Sequence, residues 1–378
     1  MRRVTLTDLL NGLDGILPSQ LESTARSRIL RERKLVNAFL DSGGQAYGFS
    51  TFFGHLDIHE IQPGDSLDLL QAHLVGRPEP LNDRQSRAIT LIKLCQLAQG
   101  GSGLSPETFE AVLHGVTTQV SIDVDASYGS GDVVPGAWWV RSILGDSPDL
   151  QRGDLIALIN GSFIPEGLLL ATVSPLDVAF SAIQRAAAKA QVFLQKRTAP
   201  GVQLPVSLRD LAPLEKELRD GLSQFTWAIE ESANRPSFNP TFIFEEDGGA
   251  SNGGPVAVVS NSSFLNFECL AAVRRLSTSM SVAAGYALAT IKHLSSALET
   301  GSSVNYGVEW VQVPKVATSY YENLLDTLTF SGSTAQWASG GTEDISDFLL
   351  AETQKIQRSV ALLEKLIQLL DQCVEAID

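Results

Sequence analysis

The most constraining feature of this sequence is a series of long segments whose apolar residues recur with helical spacing. In the last of them, Ile356, Val360 and Leu363 are three or four positions apart and would lie along one face of a helix. The segments with this spacing cover 23–40, 82–99, 135–144, 165–195, 207–232, 262–298 and 345–377. Strand-like alternation of apolar and polar residues is scarce. The sequence therefore predicts an all-α fold, a bundle of long helices.

We expect a single domain over residues 1–378. The chain contains no internal repeat and no low-complexity linker that would separate two domains. Within this domain, residues 1–160 combine short helices with Gly-rich loops, and loops of this kind are where functional residues concentrate. Residues 161–378 contain the longest helical segments and are expected to form the bundle of long helices.

The charge balance restricts the kinds of partner that the chain can bind. Its 28 Lys and Arg residues face 43 Asp and Glu residues, which gives a formal net charge of -15. Because phosphate backbones and anionic membrane surfaces repel such a chain, we expect neither nucleic acid nor a membrane as a partner. The most apolar stretch, 155–173, is interrupted by Asn160, Pro165 and Glu166, so we expect no membrane span there.

The three cysteines indicate a reducing compartment. Cys95, Cys269 and Cys373 are odd in number, far apart and set in apolar surroundings, which predicts reduced core thiols rather than disulfides. The N-terminal segment lacks the apolar core of a secretion signal because Asp8 and Asn11 interrupt it. We therefore expect a cytoplasmic location.

Several common catalytic motifs are absent from the sequence. Of the five histidines, His55 and His59 are four positions apart, but the residues around them do not form a zinc-binding HExxH helix. We therefore expect no metal site. The chain also lacks a phosphate-binding loop and a dinucleotide fingerprint.

Six loop segments carry residues typical of a different kind of site. In chain order they are AYGFSTFFG at 46–54, LLQAHLVG at 69–76, SYGSGD at 127–132, LINGS at 158–162, SLR at 207–209, and Ser339 with Glu343-Asp344. They resemble the YGxxTGFG, histidine, GASGDLAP, LxNGTQ, SLR and SANQED segments of the aromatic amino acid ammonia-lyase superfamily. The order agrees across almost the whole chain. By this resemblance the chain is identified as a divergent and shortened member of the superfamily of histidine and phenylalanine ammonia-lyases and aminomutases.

The resemblance implies a helical fold of the ammonia-lyase (fumarase/aspartase-like) type and a small-molecule substrate. It also implies a homotetramer whose sites are completed by loops from neighbouring subunits. No external cofactor is expected, because in this superfamily an Ala-Ser-Gly triad cyclises by itself into a methylidene-imidazolone electrophile. The corresponding residues here are Gly129, Ser130 and Gly131. Cyclisation needs attack by the Gly131 nitrogen on the preceding carbonyl and loss of water from Ser130, and neither step uses the alanine methyl.

The resemblance also implies roles for five further residues. Tyr47 would remove the β-proton, while His73 and Asn160 would position the substrate. Arg209 would clamp a carboxylate through two hydrogen bonds, and Glu343 would lie near the leaving amine. Without the resemblance, Arg209 next to an aspartate is equally compatible with a surface ion pair.

The sequence departs from the superfamily pattern at several of these positions. Gly129 stands where alanine is expected, and the loop is one residue short just before it. Val206 replaces a tyrosine, Thr342 replaces a glutamine and Phe52 replaces a glycine. Compared with the superfamily, the chain also lacks segments between residues 131 and 160 and between residues 160 and 207. These departures predict a changed substrate and leave open whether the triad cyclises.

Three functions remain open on the sequence alone. The first is a lyase or aminomutase that uses the electrophile to make or break a bond at the β-carbon of an amino acid or an α,β-unsaturated carbonyl compound. The second is an enzyme without the electrophile, reused with Tyr47 as acid or base for a cyclisation or isomerisation in specialised metabolism. The third is a non-catalytic homologue that binds a small molecule.

Overall fold

The computed structural model describes residues 2–21, 23–62, 64–245, 254–301, 305–330 and 334–377. The fold is all-α, and the prediction of a bundle of long helices is confirmed. The helices are α1 (Leu6–Leu13), α2 (Thr24–Asp41), α3 (Asp65–His73), α4 (Asp83–Ala98), α5 (Pro106–His114), α6 (Val133–Leu144), α7 (Asp154–Ile159), α8 (Phe163–Gln195), α9 (Val206–Arg209), α10 (Ala212–Ala233), α11 (Phe267–Gly301), α12 (Val313–Thr327) and α13 (Leu349–Glu375).

The described strands are short and pair as three antiparallel ribbons. They are β1 (Glu79–Pro80) with β2 (Ser121–Ile122), β3 (Thr241–Ile243) with β4 (Ala257–Val259), and β5 (Ala335–Ala338) with β6 (Glu343–Ile345). The register of the third ribbon is irregular: Ala335 faces Ile345, whereas Ala338 faces Glu343. This irregular ribbon carries Glu343 and therefore matters for the site.

The described chain divides into two compact units. The first unit contains residues 1–171, 227–270 and 332–351, and the second contains 172–226, 271–331 and 352–378. The prediction of one domain over 1–378 stays a prediction.

In the first unit, α4 is the central helix. Asn82 caps its N-terminus by accepting a hydrogen bond from the Gln85 amide at 2.9 Å, and the Gln85 side chain returns one to the Asn82 amide. From Ala88 to Ala98 every residue of α4 is buried, because α1, α2 and α5 pack around it. A helix covered on all sides can hold a polar side chain only if that side chain has a partner within the protein.

In the second unit, apolar stripes of the long helices form the core. On α13, Ile356, Leu363, Leu366 and Leu370 are fully buried, as the helical spacing predicts. The predicted segment 207–232 is interrupted at Asp210, whose backbone is extended with a φ of -146° and a ψ of 121°. Its carboxylate accepts a hydrogen bond from the amide of Ala212, the first residue of α10, at 3.0 Å.

One helical stretch is long and apolar enough to pass a composition test for a membrane span. It covers Asp154–Gln195, and its most apolar window has a mean hydropathy of 1.6 and is entirely buried within the fold. Buried core helices pass the same test, so the expectation that no membrane is bound stays a prediction. The three cysteines are free and buried, as expected of core thiols.

Candidate active site

The tyrosine loop at 46–54 is closed by hydrogen bonds between its own residues. The Tyr47 hydroxyl accepts a hydrogen bond from the Gly54 amide at 2.7 Å, and the Ser50 hydroxyl accepts one from the Ala46 amide at 2.9 Å. Gly48 adopts a φ of 68°, and a Cβ there would lie 2.7 Å from a methyl group of Ile156, so only glycine fits. The loop thereby holds the half-buried Tyr47 ring in one place.

His73 ends α3 and is oriented by that helix. Its Nδ1 donates to the Leu69 carbonyl oxygen at 2.7 Å, because a backbone carbonyl can only accept. This bond leaves Nε2 available for a ligand. The Phe53 ring lies between the two predicted site residues: its centroid is 6.3 Å from that of Tyr47 and 5.6 Å from that of His73.

Glu343 is held near these groups by the ribbon of β5 and β6. Its carboxylate accepts a hydrogen bond from the Ser339 hydroxyl at 2.8 Å. Burial raises the pKa of Glu343, while the Ser339 bond and His73 lower it. Burial also raises the pKa of Tyr47, the Gly54 amide lowers it, and the charges of Glu343 and Asp57 raise it. Glu343 is therefore within electrostatic reach of both Tyr47 and His73.

The Gly129-Ser130-Gly131 loop is sharply bent and buried. Gly129, Gly131 and the following Asp132 have φ values of 73°, 81° and 47°, all in the left-handed region. Ser130 is 4% exposed, and its hydroxyl donates to the Ile345 carbonyl oxygen of β6 at 3.2 Å. This bond joins the loop to the strand that carries Glu343.

Two backbone contacts fix the carbonyls on either side of Ser130. The Gly129 carbonyl oxygen accepts from the Asp347 amide at 3.3 Å, and the Gly131 carbonyl oxygen accepts from the Gly161 amide at 3.0 Å. Cyclisation would attack the Gly129 carbonyl carbon, and an N–H aimed at that oxygen stabilises the negative charge that develops there. The loop therefore fits the formation of the methylidene-imidazolone.

The structure also accounts for the missing alanine. A Cβ at residue 129 would lie 1.8 Å from the Ser346 hydroxyl oxygen, far inside van der Waals contact. Ser346 thus occupies the space that the methyl group of an alanine would need. Glycine at 129 is required by the surrounding residues and is compatible with cyclisation.

Asn160 lies at the C-terminal end of α7, next to the same loop. Its Nδ2 would be 2.9 Å from a Cβ at Gly131, and its buried Oδ1 has no hydrogen-bond partner within the described structure. An unpartnered buried acceptor beside the reactive loop is available to a ligand. The structure thus brings Tyr47, His73 and Glu343 near one another and places Asn160 beside the loop that contains Ser130.

Arg209, by contrast, belongs to the second unit. Its side chain is exposed, and its Nε and Nη2 donate to the Leu204 carbonyl oxygen at 3.3 and 3.2 Å. Its predicted role in binding a carboxylate stays a prediction.

Two ionisable residues of the site were missed by the sequence analysis. Tyr128 directly precedes the triad; burial raises its pKa, and the charges of Glu343, Asp132 and Tyr47 raise it further. Asp132 directly follows the triad, and burial raises its pKa to about 7, although the Ser127 hydroxyl donates to it. Their positions on either side of Gly129–Gly131 were the signal that could have revealed them.

Part of the chain is similar in sequence to a known protein family. The aromatic amino acid lyase family matches residues 4–157. The chain is similar to the histidine ammonia-lyase of Aromatoleum aromaticum, with 32% identity over 187 residues, which is 47% of this chain and 34% of that enzyme. The matched part thus spans about a third of the length of the curated relatives.

Solved structures resemble the chain over nearly its whole length. Ergothionase from Treponema denticola has a TM-score of 0.84 and 14% identity, covering 100% of this chain and 88% of that one. The histidine ammonia-lyase of Trypanosoma cruzi has a TM-score of 0.82 and 16% identity, covering 99% and 83%. At these identities the likeness establishes the fold.

Proposed function

We propose that this chain, a divergent member of the aromatic amino acid lyase superfamily, is an ammonia-lyase or aminomutase that acts at the β-carbon of an amino acid. The observation that carries the proposal is the arrangement of Tyr47, His73 and Glu343 beside the bent loop that contains Ser130. Each of these residues also has a counterpart in the superfamily motifs.

The electrophile would come from the chain itself. The Gly131 nitrogen attacks the Gly129 carbonyl carbon and one water leaves; the Ser130 hydroxyl leaves with its α-hydrogen as a second water. The methylidene-imidazolone so formed supplies an electrophile for the amine or the ring of the substrate. It is needed because an α-amino group is a poor leaving group and a β-proton is a weak acid.

Tyr47 is suited to move the β-proton once a substrate is bound. In the free site, burial and then the negative charge of Glu343 raise the Tyr47 pKa, so the phenol holds its proton. A substrate ammonium beside Glu343 would neutralise that charge and lower the Tyr47 pKa. The base would therefore become available when the amine is in place.

The proposal extends to the substrate class, the assembly and the location of the protein. A substrate with an aromatic or heteroaromatic ring agrees with the enzymes that the chain resembles and with the Phe53 ring between Tyr47 and His73. We further propose a cytoplasmic homotetramer in which a loop of a neighbouring subunit completes each site.

Turnover of a panel of aromatic α-amino acids tests this proposal. Ammonia release and the ultraviolet absorbance of an α,β-unsaturated acid report a lyase, and formation of a β-amino acid reports an aminomutase. Tyr47→Phe should lower kcat by at least about a hundredfold, the range expected for loss of a general base. The matched control is Tyr320→Phe on α12, which should leave kcat unchanged. A Tyr47→Phe enzyme with normal turnover would contradict the assigned role.

A further inference from the structure

A buried lysine lies beneath the site and has no role in the chemistry described above. Lys93 is on α4, its side chain is 0% exposed, and its Nζ is 4.5 Å from the centroid of the Phe163 ring. Burial lowers its pKa to about 7, with the charge of Glu166 opposing that shift. Burying an amine in a helix core costs free energy, so stability alone does not account for a lysine at this position.

The ammonium group of Lys93 contacts the turn that leads to the triad loop. Its Nζ donates to the Asn160 carbonyl oxygen at 3.0 Å. That carbonyl lies in the break between α7 and α8, where helix carbonyls lack partners of their own. Lys93 therefore satisfies and orients the backbone of the Asn160–Gly161 turn.

The Asn160–Gly161 turn holds the triad loop in place. The Gly161 amide donates to the Gly131 carbonyl oxygen at 3.0 Å. The opposite side of the turn is blocked, because a Cβ at Gly161 would lie 2.4 Å from the Ser237 carbonyl oxygen. A continuous series of contacts thus runs from Lys93 through the turn to Gly131, whose nitrogen is the nucleophile of cyclisation.

We propose that Lys93 is a positioning residue for cyclisation of the Gly129–Gly131 loop, acting through the Asn160–Gly161 turn. The inference rests on the proposed function, since cyclisation is the step that Lys93 serves. Loss of the Nζ donor frees the Asn160 carbonyl and lets Gly131 move away from the Gly129 carbonyl carbon. A misplacement of about 1 Å at a reacting atom can slow a step by on the order of a hundredfold.

Lys93→Met separates positioning from a purely structural role. Methionine has a similar length and volume but neither donates a hydrogen bond nor carries a charge. Removal of the buried amine stabilises the fold, whereas the Asn160 carbonyl left without its donor destabilises it. Because the two effects oppose each other, the midpoint of denaturant unfolding should change little. The fraction of chain that has lost two waters, read by intact mass, should nevertheless fall by at least about tenfold at a fixed time after synthesis. Replacement of a purely structural residue would instead lower the midpoint of unfolding and leave cyclisation unchanged.

Two further variants complete the experiment. Thr90→Val is the matched control: Thr90 is fully buried one helical turn earlier on α4, where it bonds Ser86 and Trp139 rather than Asn160. It should lower stability and leave cyclisation complete. Lys93→Gln keeps a shorter donor, and it should cyclise more than Lys93→Met. If Lys93→Met fails to fold, equal cyclisation in Lys93→Gln and wild type overturns the proposal.

The outcomes distinguish the two proposals. A wild type that loses two waters together with a Lys93→Met variant that does so equally well would overturn the role of Lys93 alone. A wild type with an unmodified mass would overturn the proposed electrophile, and the role of Lys93 in forming it would fall with it.

Discussion

Among single residues, Gly129 and Ser346 set the triad loop apart from the superfamily pattern. Ser346 is fully buried, and its hydroxyl accepts a hydrogen bond from the Phe348 amide at 3.1 Å. It stands where the methyl group of an alanine at 129 would lie. An alanine there would also have to adopt a φ of 73°, which costs an L-residue about 1 kcal/mol. The Ser346 side chain therefore limits the size of the residue that can stand at position 129.

Restoring the alanine should prevent cyclisation unless Ser346 is also removed. We expect Gly129→Ala alone to show an unmodified mass, because the methyl group displaces the loop. The double variant Gly129→Ala with Ser346→Gly should regain part of the two-water loss, and Ser346→Gly alone should retain it. Complete cyclisation in Gly129→Ala would show that Ser346 does not limit the loop.

The coupling between Glu343 and Tyr47 predicts a pKa change. The negative charge of Glu343 raises the Tyr47 pKa, so Glu343→Gln should lower it and tyrosinate should form at a lower pH. Ultraviolet titration of Glu343→Gln and of the wild type measures the shift in the tyrosine pKa. Repeating both titrations with Tyr47→Phe added shows whether the shifted group is Tyr47. An upward shift, or one that persists without Tyr47, would disprove the coupling.

Sequence reasoning located the residues that lie in motifs and missed those that do not. Tyr47, His73 and Glu343 stand in segments whose composition is distinctive, and the structure brings them together. Lys93 stands in the middle of an apolar helix, where a lone lysine is normally interpreted as exposed. Its contact with Asn160 joins residues far apart in the chain, and no local pattern predicts such a contact.

Among the elements, helix ends explain where the predicted boundaries hold and where they fail. The segment 82–99 became Asp83–Ala98 because Asn82 forms a complete capping box. The segment 207–232 became two helices because the backbone of Asp210, between α9 and α10, is extended. β5 and β6 could not be predicted, since strands of three or four residues with an irregular register show no alternation.

The N-terminus of α7 is an element whose stability depends on one buried carboxylate. Asp154 is fully buried and accepts hydrogen bonds from the Ser105 amide and hydroxyl at 2.8 and 2.7 Å and from the Thr108 hydroxyl at 2.7 Å. Arg33 lies 3.7 Å away as its counter-charge. The Asp154 carboxylate thus links the start of α7 to Arg33 on α2 and to the first turn of α5.

Asp154→Ala should lower the free energy of unfolding by roughly 3–5 kcal/mol, because it removes the counter-charge of the buried Arg33 and an acceptor of the Ser105 and Thr108 hydroxyls. The control is Asp146→Ala, which removes an exposed ion pair with Arg141 and should cost less than about 1 kcal/mol. Urea unfolding of the two variants measures both values. Equal losses would show that the buried carboxylate does not stabilise these helices.

For the whole molecule, fold and chemistry are distributed differently along the chain. The fold resembles those of a phenylalanine aminomutase and a histidine ammonia-lyase over nearly all residues, at 13 and 16% identity. The match to the aromatic amino acid lyase family covers residues 4–157, which contain the tyrosine loop, His73 and the triad. The long helices were predictable from their periodicity, whereas the division into two units came from contacts between distant segments.

The intact mass of the purified chain tests the central claim most directly, since it reports cyclisation without knowledge of the substrate. The account predicts a wild-type mass lower than the sequence mass by two waters, with a near-ultraviolet absorbance that Ser130→Ala lacks. A wild-type mass equal to that of the unmodified sequence would contradict the account and leave acid–base chemistry by Tyr47, in a cyclase or isomerase, as the function to test.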